Sequence, residues 1–183
     1  TITDIDTGAF DIAIADSPTA LDLPVKGEAG TEVLEAALAS GSNPASTGET
    51  TAGTIAYVAP DGPATVTLDG VAVTSVGQTF TGSYGTLTIT SIAAGAIGYS
   101  YTLTTNTEGD ATFDDFAVVV TDQDGDSTPG TLKIDIVDDL PSAAADTDSI
   151  ASGLYGPATG NVITDAEADG GTNTAGSDGV TVT

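Results

Sequence analysis

The sequence predicts an all-β protein built as a β-sandwich. Three observations predict it. Short runs alternate apolar and polar residues with period two. Gly, Asp and Pro break these runs about every ten residues. The composition is 39% hydrophobic but only 5% aromatic, and Thr, Val and Ile abound, which suits strands with small side chains.

The elements follow in chain order. Phe10-Asp11-Ile12-Ala13-Ile14 alternates and ends before the turn Asp16-Ser17-Pro18. Glu32 to Ala39 carries Val33, Leu34, Ala37 and Leu38 at helical spacing, with Thr31 placed to cap it and Gly41 to stop it. This spacing predicts one short helix of about two turns, marginal by itself. Thr54 to Ala59 is a strand around Ile55, Tyr57 and Val58. Val66-Thr67-Leu68 runs into Asp69-Gly70 and then Val71-Ala72-Val73, a hairpin signal. Leu87-Thr88-Ile89 follows Gly85. Tyr99-Ser100-Tyr101-Thr102-Leu103 sets its aromatic residues on one face. Phe116 to Val120 is nearly all apolar, which predicts a central strand buried on both sides. Leu132-Lys133-Ile134-Asp135-Ile136 alternates, with Lys133 and Asp135 expected to face water.

Three regions result. Residues 20–140 form the sandwich. Residues 1–19 hold an end strand of a preceding module or an exchanged strand. Residues 141–183 are a linker and the opening strands of a next module, Asn161-Val162-Ile163-Thr164 and Val180-Thr181-Val182. The start at Thr1 without Met is expected of a fragment or a processed product.

Charge narrows the function. The chain has 27 Asp and Glu against two Lys, Lys26 and Lys133, for a net charge of -25. There is no basic footprint for nucleic acid, and an anionic membrane surface repels such a chain. No run of about 18 apolar residues is present to insert into a bilayer. His and Cys are absent. That excludes the usual zinc sites and any Ser-His or Cys-His nucleophile. An acidic, Cys-free, Thr- and Gly-rich β protein points to an extracellular bacterial setting.

The carboxylates cluster. The 41 residues from Glu108 to Asp148 hold 12 of the 27 acidic groups. Asp122-Gln123-Asp124-Gly125-Asp126 forms a D-x-D-G-D loop between two strands, Asp138-Asp139 closes the last strand, and Asp146-Thr147-Asp148 follows. Carboxylates held this close repel unless a counter-ion joins them, and two Lys cannot pair them all. Ca²⁺ accepts six to eight oxygen ligands in flexible geometry. The expected metal residues are therefore Asp122, Asp124, Asp126, Asp138 and Asp139, with Asp146 and Asp148, placed at the junction between modules. Glu28, Glu32, Asp114 and Asp115 divide evenly between ligand and solvated surface, and Asp4 and Asp6 are weaker candidates at the other end. An EF-hand is excluded, because its sixth and twelfth positions fall on Ser127 and Lys133. The bland alternative is a solvated acidic edge that keeps the chain soluble.

Val118-Val119-Val120-Thr121-Asp122-Gln123-Asp124-Gly125-Asp126, followed by Gly130 to Pro141 with Leu132-Lys133-Ile134-Asp135-Ile136-Val137-Asp138-Asp139 at its centre, resembles the end of a bacterial immunoglobulin-like, cadherin-like (VCBS-type) repeat of giant type I secreted RTX adhesins. Ala158 to Thr164 and Gly176 to Val180 resemble the opening of a following repeat. The likeness covers residues 99–183; residues 20–98 fit in length and strand rhythm without a sharp motif. The resemblance implies an immunoglobulin-like sandwich stacked end to end with adjacent repeats at the cell surface, with calcium stiffening the junctions. Ser127-Thr128-Pro129 departs from the family pattern.

The leading expectation is thus a non-catalytic, calcium-stiffened repeat of a surface adhesin or biofilm protein. The alternative is a self-assembling subunit of a filament or surface layer, joined to other copies of itself by strand exchange. For catalysis the only carboxylate pairs are Asp114-Asp115 and Asp138-Asp139. Tyr84, Tyr99 and Tyr101 could make a sugar platform, though core positions suit them better.

Overall fold

The computed structural model describes residues 17–109 and 111–141. Two five-stranded sheets form a sandwich, with no α-helix among the described residues. One sheet runs in the order β1 (Ala20–Asp22), β3 (Thr50–Val58), β8 (Ala96–Leu103), β7 (Gly85–Ala93), β6 (Thr79–Thr81). The other runs β2 (Glu32–Leu34), β10 (Ser127–Val137), β9 (Thr112–Thr121), β4 (Thr65–Leu68), β5 (Val71–Ala72). All neighbours pair antiparallel except β2, which lies parallel to β10.

Period-two alternation builds the core. Ile55, Leu87, Ile89, Ile97, Tyr99, Tyr101 and Leu103 point inward from the first sheet. Leu68, Phe116, Val118, Val120, Leu132, Ile134 and Ile136 meet them from the second. Both tyrosines are fully buried, in the core positions that the sequence favours for them over a sugar platform. Asp69 and Gly70 take the left-handed backbone, φ 48° and 78°, that a two-residue hairpin between β4 and β5 demands.

Three sequence expectations need correction. The predicted helix over Glu32–Ala39 is strand β2 followed by a single 3-10 turn, Glu35–Ala37. Two turns of isolated helix are weaker than a ladder on the open edge of β10, where Asp135 N–H donates to Thr31 O at 2.8 Å. The Phe116–Val120 stretch is central in its sheet but buried on one side only: Ala117 is exposed and Val119 half-buried. Asp135 does not face water. It is 7% exposed, because Lys26 and Lys133 close over it.

One carboxylate ties the sheets together. Asp114 on β9 points into the core and is 2% exposed. It accepts hydrogen bonds from Ser83 N–H at 2.7 Å and from Tyr84 and Gly85 N–H at 3.1 Å each. The Tyr101 hydroxyl adds a fourth donor at 2.6 Å. The β6–β7 turn of one sheet is thereby fixed to a strand of the other. Burial, reinforced by Asp114, pushes the Tyr101 hydroxyl far above its ordinary range. Burial alone raises Tyr99 to about 12, and its hydroxyl donates to Gly30 O at 3.0 Å. Gly53 lies under that ring, where a Cβ would sit 2.5 Å from the Tyr99 oxygen.

Asp114→Ala leaves the buried Gly85 amide and Tyr101 hydroxyl without an acceptor, each costing about 1–3 kcal/mol, and frees the half-buried β6–β7 turn as well. Urea unfolding is expected to show a loss of at least about 3 kcal/mol. Asp115→Ala, on the exposed face, is expected to change stability by under about 0.5 kcal/mol.

Candidate metal centre

The loop joining β9 to β10 carries the D-x-D-G-D sequence. Its backbone curls because Asp122 Oδ1 accepts from Gly125 N–H at 3.1 Å and Asp126 N–H at 2.8 Å. Asp122 N–H donates to Asp126 O at 3.0 Å, closing the loop across its base. Gly125 supplies the left-handed turn at φ 111°. One carboxylate oxygen each from Asp122, Asp124 and Asp126 then falls within 4.8 Å of the others.

The three differ in exposure: Asp122 is buried, Asp126 half-buried and Asp124 exposed. Asp122 Oδ2 is buried and meets no donor within hydrogen-bond distance. Hydrogen bonding with the Asp124 carboxyl, then with the loop amides, holds Asp122 below the usual carboxylate range against the opposing effect of burial. It is therefore ionised at neutral pH, as a ligand for a hard cation must be. These three residues could hold a metal ion. A cation needing six or more oxygens would draw the remainder from water, backbone carbonyls or another molecule.

The other predicted ligands lie elsewhere. Asp138 and Asp139 follow the far end of β10, whose 11 residues span about 36 Å at roughly 3.3 Å per residue. The Asp122 loop precedes its near end. One uninterrupted strand thus separates the two groups, and no single site within one chain joins them. Asp139 is 7% exposed and already engaged: Ser42 N–H donates to Oδ2 at 2.7 Å and Ser42 Oγ to Oδ1 at 2.5 Å. Asp138 is half-buried beside it. Asp146, Asp148, Asp4 and Asp6 lie outside the described residues.

The weaker candidates resolve separately. Asp114 is saturated by its four donors. Glu28 Oε2 accepts Val25 N–H at 3.0 Å and stays at the surface. Glu32 is exposed. Asp114 and Asp115 are adjacent on β9 and face opposite sides, so they do not form a carboxylate pair in one cleft. Among the described residues no helix is long and apolar enough to cross a membrane.

Sequence reasoning missed several structural carboxylates. Glu35 is fully buried, its Oε1 accepting from Thr107 N–H and Oγ1, both at 2.6 Å. Nothing local in the sequence marks it. Asp114 had a signal: it shares the parity of Phe116, Val118 and Val120, which are the inward residues of β9. No family model matches this chain, and no curated protein matches it.

Asp135, near the far end of β10 from the Asp122 loop, gives the fold a pH signature. Burial works to raise its pKa, but Lys133 at 3.0 Å and Lys26 at 3.1 Å outweigh it and hold the carboxyl below the usual range. A depressed folded pKa contributes stability that is full above the unfolded value of about 3.9 and is lost as pH falls through the folded value. The double substitution Lys26→Met, Lys133→Met leaves Asp135 buried without its partners. Its destabilisation in thermal melts is expected to be largest near pH 7 and to shrink below about pH 4. A gap that stays constant with pH would contradict this role.

Proposed function

We propose that this chain is a calcium-stiffened β-sandwich repeat of a bacterial cell-surface adhesin or biofilm protein, working outside the cell and without catalysis. The observation that carries the reading is the Asp122/Asp124/Asp126 cluster with its buried, undonated Asp122 Oδ2. All-oxygen, multiply anionic ligation in a glycine-bearing loop suits Ca²⁺ better than softer metals. Both lysines of the chain pair with Asp135 and do not neutralise this loop.

Two further features support a stalk module. The chain comes into the sandwich beside Thr128, at the start of β10, and leaves after Val137 at its other end. Incoming and outgoing segments therefore sit at opposite poles, the arrangement that end-to-end stacking with adjacent repeats requires. The carboxylates are also divided between the poles, the Asp122 loop at one and Asp138-Asp139 at the other. The likeness of Val118–Asp126 and Gly130–Pro141 to adhesin repeats adds the biological setting.

Calorimetric titration of chelator-stripped protein tests the reading. Ca²⁺ is expected to bind and Mg²⁺ to bind far more weakly. Asp124→Ala and Asp126→Ala remove that heat, whereas Asp139→Ala leaves it. At a hundredfold excess over Kd, Ca²⁺ adds about 2.7 kcal/mol, which raises the melting temperature by roughly 10 °C. No heat and an unchanged melt in EDTA would reduce the cluster to a solvated acidic loop.

A further inference from the structure

We infer that the outer face of the second sheet, where β2, β10 and β9 lie side by side, is the surface on which two copies of this chain pair, apolar centre against apolar centre, with the lysines of one facing acids of the other. This goes beyond the calcium reading and does not rest on it.

Strand register brings the residues of this surface together. Val137 lies opposite Leu34, Asp135 lies between Glu32 and Phe113, and Lys133 lies opposite Asp115. Residues directly opposite one another share a face. Leu34, Phe113 and Val137 are exposed, and Leu140, just beyond β10, is 65% exposed. Four of the nine large apolar side chains exposed among the described residues therefore stand here. Single exposed apolar groups are ordinary, whereas a contiguous group marks a contact surface. A hollow of about 350 Å³ beside Lys26, Lys133, Val137 and Leu140 leaves room for a side chain from a facing surface.

Charge decides what that facing surface is. Lys26 and Lys133 are the only cationic side chains in the sequence, and both line this hollow. Lys133 Nζ is held 3.0 Å from Asp135 and 4.1 Å from the centre of the Phe113 ring. Lys26 Nζ reaches the same carboxylate at 3.1 Å and stays 74% exposed. Each ammonium has three protons to donate, so one contact does not exhaust it. Glu32 and Asp115 are exposed on the same face, and neither pairs with a lysine of its own chain. Elsewhere the charged side chains are all acidic, and two copies repel. Here both signs surround an apolar centre. A two-fold axis through that centre sets the lysines of one copy against Glu32 and Asp115 of the other, and makes each contact twice. An apolar core with a polar rim is the usual anatomy of an interface. The partner that fits is a second copy, joined side to side and not end to end.

Sedimentation velocity of the full chain tests this, in EDTA and again with Ca²⁺, at about 0.15 M salt, where screening over roughly 8 Å quiets the net repulsion. The chain is expected to pass from monomer to dimer between micromolar and millimolar concentration, in EDTA as well as in Ca²⁺. Leu140→Asp and Phe113→Ser, both at exposed positions, are each expected to weaken pairing about tenfold. Val71→Asp adds the same charge as Leu140→Asp at an exposed position on β5, and is expected to leave pairing unchanged. Backbone amide signals of Leu34, Phe113 and Val137 are expected to move with dilution. A chain that stays monomeric throughout, with those amides unmoved, would overturn the inference, as when residues 142–183 cover the patch. A dimer indifferent to both Leu140→Asp and Phe113→Ser would place the contact elsewhere and overturn it. A dimer that forms only with Ca²⁺ would assign pairing to the Asp122 loop, overturning this surface while leaving the calcium reading intact.

Discussion

A chain with 27 carboxylates and two ammonium groups has to satisfy its buried acids mainly with neutral donors. An ionised carboxyl taken from water without hydrogen bonds is too costly to keep. The described structure meets this constraint repeatedly in one way: backbone N–H and hydroxyl groups of loops converge on an acid. Asp114 gathers three amides and a phenol, Asp139 takes both donors of Ser42, Glu35 takes both donors of Thr107, and Asp61 takes Ser17 N–H. The acids therefore hold loops to strands, a task that disulfides perform in many small domains.

Asp135 is the exception that uses charge. Both lysines of the chain converge on it, and this explains why no cation is left for the loop between β9 and β10. That loop turns on its own Asp122, whose Oδ1 is satisfied from within while Oδ2 is buried without a donor. One carboxylate oxygen from each of Asp122, Asp124 and Asp126 falls within 4.8 Å of the others, so this cluster could hold a metal ion. The loop leads into β10, where Thr128 and Thr19 hold the start of the sandwich together.

Much of this was legible in the sequence. The strands with clear alternation, the Asp69-Gly70 hairpin and the D-x-D-G-D spacing all stand where periodicity and turn chemistry put them. The failures have physical causes. Strands β1 and β6 are three residues each, too short for a period to show. Val33, Leu34, Ala37 and Leu38 fit a helix equally well as they fit an edge strand and a turn, and the open edge of β10 decides between them. Grouping Asp138 and Asp139 with the Asp122 loop ignored the length of β10, which sets them at opposite ends. Partners of Asp139, Glu35 and Asp61 lie 97, 72 and 44 residues away in sequence, beyond the reach of any local pattern.

The central claim is that, among the described carboxylates, the Asp122/Asp124/Asp126 cluster is the one able to take a cation, whereas Asp114, Asp135 and Asp139 are engaged by donors of the protein. Side-chain carboxyl ¹³C chemical shifts of the aspartates, followed during a Ca²⁺ titration, test it most directly. Large, saturable shifts are expected at Asp122, Asp124 and Asp126, with Asp114, Asp135 and Asp139 unmoved. Small shifts spread evenly over all of them, growing without saturation, would show that Ca²⁺ merely screens a polyanion, and would contradict it.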